Sequence, residues 1–326
     1  MIKYQIYQDE FYDDLKQITI ESFELTSFNT DLSLPKNIGG KVAWELWCKP
    51  ILRSEKNKYC IVAVSNKKAV GYIIYGADAD CSKVINKKIG NIILIAVKKE
   101  FRNKYNIAEN LVNTVVNIFK KYEFDIITVG TDLDNLPALI TYIKLGFRPI
   151  LSWATFRNYF NAIKDEDTKP KIMAVDKNEK KIIKNFLENI SRPTSLLIDR
   201  NISELQKKTL LIHIKEKVKE EIQNNKLNLF VIKENKKTGG FFTVIKKEDI
   251  SQIIGKDFCR INDIIFLHKK EKANIRYINS ILQFLKKNGC EIVEIFVKLN
   301  EWLKIKYLCK TGFILVHNAI TLHKYL

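Results

Sequence analysis

The chain of 326 residues contains only 6 Pro and 12 Gly, whereas 46% of its residues are hydrophobic. A chain with few breakers and many apolar residues is predicted to fold rather than to remain disordered. It has no apolar run long enough to cross a bilayer, and its first residues lack the basic start and apolar segment of a signal peptide. We therefore expect a cytoplasmic protein that does not enter a membrane.

Cysteine and histidine are also sparse. The six cysteines include no pair at the Cys-x-x-C spacing, and none lies at ligand spacing from one of the four histidines. This pattern predicts reduced structural thiols and no metal site.

Positive charge is the one abundant feature, with a formal net charge of +18. Residues 1–163 carry 22 Lys and Arg against 17 Asp and Glu, and residues 164–326 carry 33 against 20, so the halves have net charges of +5 and +13. Most lysines occur singly or as doublets rather than in one block, which is typical of solvated faces. The pattern argues against nucleic acid as a partner, although the second half is better suited to an anionic one.

An internal repeat organises the chain. Three segments of the first half recur in the second in the same order: 64–71 in 232–240, 125–129 in 291–295, and 144–147 in 310–313. The recurrence predicts two copies of one domain built from strands and helices. A polar segment that ends at Pro170 predicts the junction, with domains at 1–165 and 166–326.

In the first copy, the apolar strand 92–97 leads towards an amphipathic helix. One face of that helix is predicted to hold Ile107, Leu111, Val115, Ile118, Phe119 and Tyr122. Because the first turn of a helix leaves backbone N–H groups unpaired, such a strand-to-helix junction favours anion binding.

Two segments of the first copy carry a family resemblance. The loop reads Phe101-Arg-Asn-Lys-Tyr-Asn-Ile-Ala108, and Asn135-Leu-Pro-Ala138 precedes Tyr142-Ile-Lys-Leu-Gly-Phe147. These segments resemble the GCN5-related N-acetyltransferase (GNAT) superfamily, with its Arg/Gln-x-x-Gly-x-Gly/Ala loop and its Asn-x-x-Ala-x-x-x-Tyr-x-x-x-Gly-Phe segment. Ala108 fits the last loop position, and Asn106 replaces the middle glycine. Arg102 lies one residue upstream of the pattern, so either the loop bulges or Asn103 takes the Arg/Gln place.

The resemblance implies an α/β (α+β) fold of two tandem GNAT-like domains, each a mixed, mostly antiparallel sheet flanked by helices. It also implies a sheet opened between its two central parallel strands, acetyl-CoA as cosubstrate and an amine acceptor as partner. Pantetheine would pair with strand 92–97, and pyrophosphate would meet the amides of residues 103–108. The implied binding residues are Ile95, Ala96, Val97, Arg102, Asn103, Lys104, Tyr105, Asn106, Ile107, Ala108, Asn135, Ala138 and Tyr142.

In the family, an amine attacks the thioester directly, and Tyr142 matches the residue that protonates the departing thiolate. A backbone N–H of residues 95–97 would meet the developing oxyanion. Glu21, Glu24 and Asp132 are candidate bases by their expected position near the acceptor cleft, and a water relay is the alternative. A helix that holds Trp44 and Trp47 is expected to flank the cleft, with both rings in the core.

The second copy differs at the positions that would bind acyl-CoA. If 263–268 is aligned with 92–97, the following connection, residues 269–276, is five residues shorter than 98–110 and contains no glycine. Tyr307 lies five residues before Gly312, whereas Tyr142 lies four before Gly146, which rotates the phenol by about 100° on a helix. We expect the first copy to catalyse and the second to be structural or to bind the acceptor.

Two other functions fit the same repeat. One is aminoacyl transfer from tRNA, because cell-wall aminoacyltransferases also pair two such folds, and the basic second half is compatible with it. The other is a non-catalytic protein that binds acyl-CoA or a partner as a sensor, which the altered glycine position allows.

Overall fold

The computed structural model describes residues 1–23, 34, 38–160, 170–190, 194–267 and 270–326. They form two compact units, unit 1 of residues 1–152 with 318–326, and unit 2 of residues 153–317. The division expected from the sequence was linear, at residue 165, a position outside the described residues. The units differ from it because the last strand of each half belongs to the unit formed by the other half.

Unit 1 is built on a six-stranded mixed sheet in the order β1-β2-β3-β4-β5-β12. β4 and β5 are parallel, and the other neighbours in this sheet are antiparallel. Its strands are β1 Lys3–Ile6, β2 Cys60–Ser65, β3 Lys68–Ala77, β4 Ile89–Val97, β5 Ile126–Asp132 and β12 Ile314–Tyr325.

Helices cover both faces of this sheet. They are α1 Tyr12–Ser22, α2 Ile38–Val42, α3 Lys49–Leu52, α4 Ala79–Ile85, α5 Ile107–Lys121 and α6 Leu136–Lys144, with a π-helical turn at Ala43–Cys48 between α2 and α3. Residues of α5 and α6 pack on one face, and residues of α1 and the π-helical turn pack on the other. Both faces of β3 are therefore buried, which explains its nearly unbroken apolar sequence.

The buried face of α5 differs in part from the predicted one. It consists of Ile107, Leu111, Val112, Val115, Val116 and Phe119. Tyr122 was expected on this face but is 60% exposed, because the helix ends at Lys121 and the chain turns away.

Unit 2 repeats the architecture with the order β6-β11-β10-β9-β8-β7, in which β10 and β11 are parallel and the other neighbours antiparallel. Its strands are β6 Arg148–Asn158, β7 Lys171–Ala174, β8 Asn228–Glu234, β9 Lys237–Lys246, β10 Phe258–Phe266 and β11 Ile292–Lys298. Its helices are α7 Lys180–Asn189, α8 Ser195–Ile198, α9 Glu204–Gln223, α10 Glu248–Ile254, α11 Glu271–Lys287 and α12 Trp302–Lys310.

A β-bulge at the same place in both units corrects the alignment of the two copies. Ile93 is the extra residue of β4 against β3, and Asn262 is the extra residue of β10 against β9. Superposing the bulges aligns 92–97 with 261–266, two residues from the predicted 263–268. The connection 98–110 then corresponds to 267–276, which is three residues shorter and not five.

The exchanged strand β6 is held in unit 2 by a buried ion pair. Arg157 on β6 is fully buried, and its Nε and Nη2 donate to Oε2 of Glu294 on β11 at 3.0 and 2.8 Å. The other oxygen of Glu294 accepts from Arg260 on β10, at 2.8 Å from Nη2. One carboxylate thus binds two guanidinium groups on the two strands that flank β11.

We expect Arg157→Met to lower the free energy of unfolding by about 3–5 kcal/mol, because Glu294 would remain buried with half of its partners lost. The double variant Arg157→Met/Glu294→Met should recover much of this loss, since Arg260 is partly exposed and can turn to solvent. Urea denaturation of the full chain measures both. Lys184→Met, which breaks an exposed pair with Glu188, is the control, with an expected change below about 1 kcal/mol. A double variant no more stable than Arg157→Met would contradict this account.

Candidate functional site

The pairing of β4 with β5 ends before either strand does. The parallel register runs from Ile89–Ile126 to Ile92–Val129, after which no pairing of the two strands is described. The bulge at Ile93 follows directly, and a bulge bends a strand and increases its twist. The two strands consequently diverge, and a cavity of about 470 Å³ lies between residues 92–97 and 129–132. The opening implied between the central parallel strands is present.

A second cavity, of about 630 Å³, lies beside the first and extends along the start of α5. The two have seven lining residues in common: Ile95, Ala96, Val97, Arg102, Pro137, Ala138 and Tyr142. Together they form one groove, called the β4–β5 groove below. It passes from the acidic end of β5 to the N-terminus of α5.

The loop before α5 contains three residues in the left-handed backbone region. Their φ angles are +57° at Asn103, +60° at Tyr105 and +47° at Asn106. Asn adopts this region at little cost, so Asn106 can take the backbone conformation of the middle glycine in the family's loop pattern. As N-cap of α5, Asn106 precedes Ile107 and Ala108, which line the second cavity with it. The first amides of α5 have no intrahelical partner, so this end of the groove favours an anion.

Arg102 ties this loop to its surroundings. Its Nε donates to the carbonyl of Val97 at 2.9 Å, and its Nη2 donates to Ser22 Oγ of α1 at 3.0 Å. The guanidinium therefore lies at the end of β4 and lines both cavities. The neighbouring left-handed residue, Asn103, lies at the position where the family pattern places Arg or Gln.

Tyr142, in α6, is the one titratable side chain buried in the wall of both cavities, within the described residues. It is 2% exposed, and burial raises the pKa of its hydroxyl above the ordinary value. Among the residues that the structure describes, none forms a hydrogen bond with this hydroxyl, while the ring packs on Phe147 at 5.6 Å. A neutral phenol is thus held at the groove with its proton available.

Asn135 and Ala138 place α6 against the groove. The Asn135 Oδ1 accepts from the Ala138 amide at 3.4 Å and caps the helix, and Pro137 lies in its first turn, where its missing N–H costs nothing. Asn135 and Ala138 both line the first cavity. This helix-capping hydrogen bond is a sufficient structural reason for an Asn at position 135, without any contact with a ligand.

Of the two predicted catalytic carboxylates that the structure describes, Asp132 lies at the groove and Glu21 does not. Asp132 ends β5 and lines the first cavity. Glu21 instead accepts a hydrogen bond from Gln17 at 2.9 Å and lines neither cavity, although the next residue, Ser22, lines the first. Glu24 lies outside the described residues. Their roles in proton transfer remain predictions.

The predictions for Trp44, Trp47 and Tyr105 have mixed outcomes. Trp44 is buried against Tyr12, as expected of a core residue, but Trp47 is 41% exposed and packs on Phe23. Tyr105 lines neither cavity and is 67% exposed, because its left-handed backbone turns the side chain outwards.

The groove includes residues that the sequence did not indicate. Ser22 and Phe23 come from the end of α1, Asp134 from the turn after β5, and Lys144 from the last turn of α6. The first two could not be found from motifs, since they are distant in sequence from both. Asp134 directly precedes the Asn-to-Phe segment and Lys144 lies within it, so the sequence offered their charges as a signal.

Unit 2 presents different side chains at the corresponding positions. The helices α6 and α12 both have nine residues and end two residues before a left-handed glycine, Gly146 or Gly312. Leu308 therefore corresponds to Tyr142. Tyr307 lies one residue before that position, which is the offset that the sequence predicted. At the end of β10, Phe266 replaces Val97 and packs against Tyr277 and Tyr307 at 6.4 and 6.3 Å.

The described residues contain no group of three or more His, Cys, Asp or Glu side chains that could hold a metal ion. The six cysteines are unbridged, and none of the helices in this part of the chain is long and apolar enough to span a membrane.

Solved structures share this tandem fold. A GCN5-related N-acetyltransferase from Sphaerobacter thermophilus matches with a TM-score of 0.64 and 11% identity, over 99% of this chain and 95% of its own. A tandem GNAT protein from the clavulanic acid biosynthesis pathway matches with a TM-score of 0.54 and 9% identity, over 100% and 98% of the two chains. The chain therefore has the fold of two tandem GNAT domains.

The sequence of the first repeat resembles a known family. Residues 12–147 match the model of the acetyltransferase (GNAT) family. No curated protein sequence matches the chain.

The left-handed backbone of Asn106 should determine which residues are tolerated at this position. Asn106→Gly should change the free energy of unfolding by less than about 0.5 kcal/mol, because glycine adopts positive φ freely, whereas Asn106→Val should cost about 1–2 kcal/mol. Thermal and urea unfolding compare the variants. Asn117→Val, at an exposed position in the interior of α5, is the control for introducing a β-branched residue, and should cost only a few tenths of a kcal/mol. Equal losses at 106 and 117 would show that the left-handed conformation does not matter.

Proposed function

We propose that unit 1 is an N-acyltransferase that moves an acyl group, by default acetyl, from acyl-CoA to an amine. The observation that carries the proposal is a buried, protonated Tyr142 in the wall of a groove that opens between β4 and β5 and ends at the N-terminus of α5. The match of residues 12–147 to the model of the acetyltransferase (GNAT) family supports it.

The chain offers groups that match three parts of acetyl-CoA, which are the pantetheine arm, the pyrophosphate and the thioester. The β5-facing edge of residues 93–97 has no strand pairing among the described residues, so its amides and carbonyls suit the amides of pantetheine. The N-terminus of α5 suits the pyrophosphate, because backbone N–H groups and the helix dipole both favour negative charge there. Arg102 and Lys104 line the same cavity and add positive charge. The thioester would supply an activated carbonyl carbon next to Tyr142.

The reaction that fits this arrangement is direct attack by the amine nitrogen on the thioester carbonyl carbon. A C–N bond forms and the C–S bond breaks, so one proton must leave the nitrogen and one must reach the sulfur. Tyr142 holds a proton where the thiolate charge develops, and a hydrogen bond made there lowers the barrier. Asp132, at the end of β5, is the base that the structure favours, with transfer through water as the alternative.

The amine acceptor is proposed to enter from the side of β5 and α1. Asp132 and Asp134 line this part of the groove and attract a cationic amine. Lys104 lines only the part assigned to phosphate, together with Glu109, and Arg102 lines both parts. The two aspartates thus mark the end of the groove that is proposed to receive the amine. They also give a strongly basic protein a local acidic entrance.

Unit 2 is proposed to be structural or to help bind the acceptor. Leu308 cannot donate a proton at the place of Tyr142, and Phe266 fills space at the end of β10 together with Tyr277 and Tyr307. The segment 267–276 is three residues shorter than 98–110, and its described residues before α11, Leu267 and Lys270, are not left-handed.

Isothermal titration should show one acetyl-CoA site per chain. Ala108→Asp should abolish or strongly weaken binding, because a carboxylate in the first turn of α5 would repel phosphate oxygens. Asn117→Asp, which adds the same charge on an exposed part of α5, is the control and should bind normally. Two equal sites per chain, or none, would be incompatible with the proposal.

Replacing Tyr142 tests the chemical role. With the best acceptor from a panel of primary amines, Tyr142→Phe should lower kcat by about 10²-fold, the range of a general acid, with little change in acetyl-CoA affinity. Because burial raises the pKa of Tyr142, the phenol stays protonated at ordinary pH, and the ratio of wild-type to variant kcat should be constant from about pH 7 to pH 9. Release of the CoA thiol measures the rate. A folded variant with unchanged kcat would remove Tyr142 from the mechanism.

A further inference from the structure

In unit 2, a carboxylate occupies the helix terminus that corresponds to the phosphate end of the groove in unit 1. Glu271 is the first residue of α11, and its two oxygens bind Lys310 Nζ at 2.5 Å and Lys306 Nζ at 2.9 Å, both from α12. Hydrogen bonds from Lys310 and Lys306 lower the pKa of Glu271 and keep it ionised. A fixed negative charge thus lies between the N-terminus of one helix and the last turns of the next.

The repeat identifies the counterparts in unit 1. The helices α5 and α11 end at Lys121 and Lys287, and the following strands β5 and β11 begin five residues later in both units. Residue numbers in α11, β11 and α12 are therefore 166 higher than those of their counterparts in α5, β5 and α6. Lys144 and Lys310 are consequently the same position, each the last residue of its helix and two residues before a left-handed glycine.

We propose that Lys144 binds the pyrophosphate of acyl-CoA, at the place where Lys310 binds Glu271. This inference rests on the function proposed above. Lys144 lines the cavity at the N-terminus of α5 together with Lys104 and Asn106, and is exposed. Unlike Lys310, it has no carboxylate partner among the residues that the structure describes.

The residue at one position explains why Lys144 lacks the carboxylate partner that Lys310 has. The counterpart of Glu271 is Tyr105, whose ring points outwards, so no side chain of that position supplies negative charge to Lys144. Ile140 takes the place of Lys306, which leaves Lys144 as the single α6 cation at this end of the groove. A negative ligand would complete in unit 1 the ion pair that Glu271 completes in unit 2.

The test compares three thioesters by isothermal titration. Lys144→Ala should weaken acetyl-CoA about tenfold, the effect of a charge-assisted hydrogen bond reduced by solvent screening. The loss should be the same with 3′-dephospho-acetyl-CoA, which keeps the pyrophosphate, and absent with S-acetylpantetheine, which has no phosphate. It should shrink as salt is raised. Lys121→Ala removes the same charge at the far end of α5, about 20 Å away along the helix, and should bind all three like the wild type.

Three results would overturn the assignment. They are a change below twofold with acetyl-CoA, an equal loss with S-acetylpantetheine, or a loss confined to the ligand with the 3′-phosphate. Inorganic pyrophosphate separates this inference from the proposed function, because it needs no thioester chemistry. If pyrophosphate protects the wild type but not Lys144→Ala from thermal unfolding while acetyl-CoA does not bind, the proposed function fails and the phosphate site stands. If neither ligand binds the wild type, both fail.

Discussion

The end of β4–β5 pairing at Ile92 and Val129 is the constraint on which the rest of unit 1 depends. Two parallel strands that stayed paired would leave no groove and no free backbone edge. The bulge at Ile93 turns β4 away at this point, and the connection to α5 then starts from the diverging strand end. Every residue proposed to bind or to donate a proton lies along that divergence, from Asp132 to Ala108.

The exchange of β6 and β12 makes each unit dependent on the other half of the chain. β12 pairs with β5 over seven residues and so covers the strand that carries Asp132. In return, β6 enters unit 2, where Arg157 meets Glu294. Buried ion pairs stabilise weakly but penalise wrong partners strongly, so this pair favours one strand arrangement over its alternatives. The strand that carries Asp132 is therefore flanked on one side by a strand from the other half of the sequence.

Much of the fold could be predicted from residues, and the exchange could not. Element order, the repeat and the α5 terminus follow from local patterns such as the apolar strand 92–97 and the Gly-Phe pairs. The partner of β6 is a non-local choice, because β5 and β11 present similar apolar edges and the two last strands follow equivalent helices. Of the site, the two motifs contain half of the lining residues. Ser22 and Phe23 depend on how α1 packs.

The two repeats show which features belong to the scaffold and which to the chemistry. Both units keep the bulge, the short parallel pairing and a left-handed glycine after the last helix. They differ where a ligand is proposed to lie, with Leu308 for Tyr142, Phe266 for Val97 and Glu271 for Tyr105. Leu308 lacks the hydroxyl, Phe266 packs against two tyrosines, and Glu271 pairs with two lysines of α12. Unit 2 thus satisfies with its own side chains the positions that unit 1 is proposed to leave for a ligand, and groups left unpaired for a ligand cost stability.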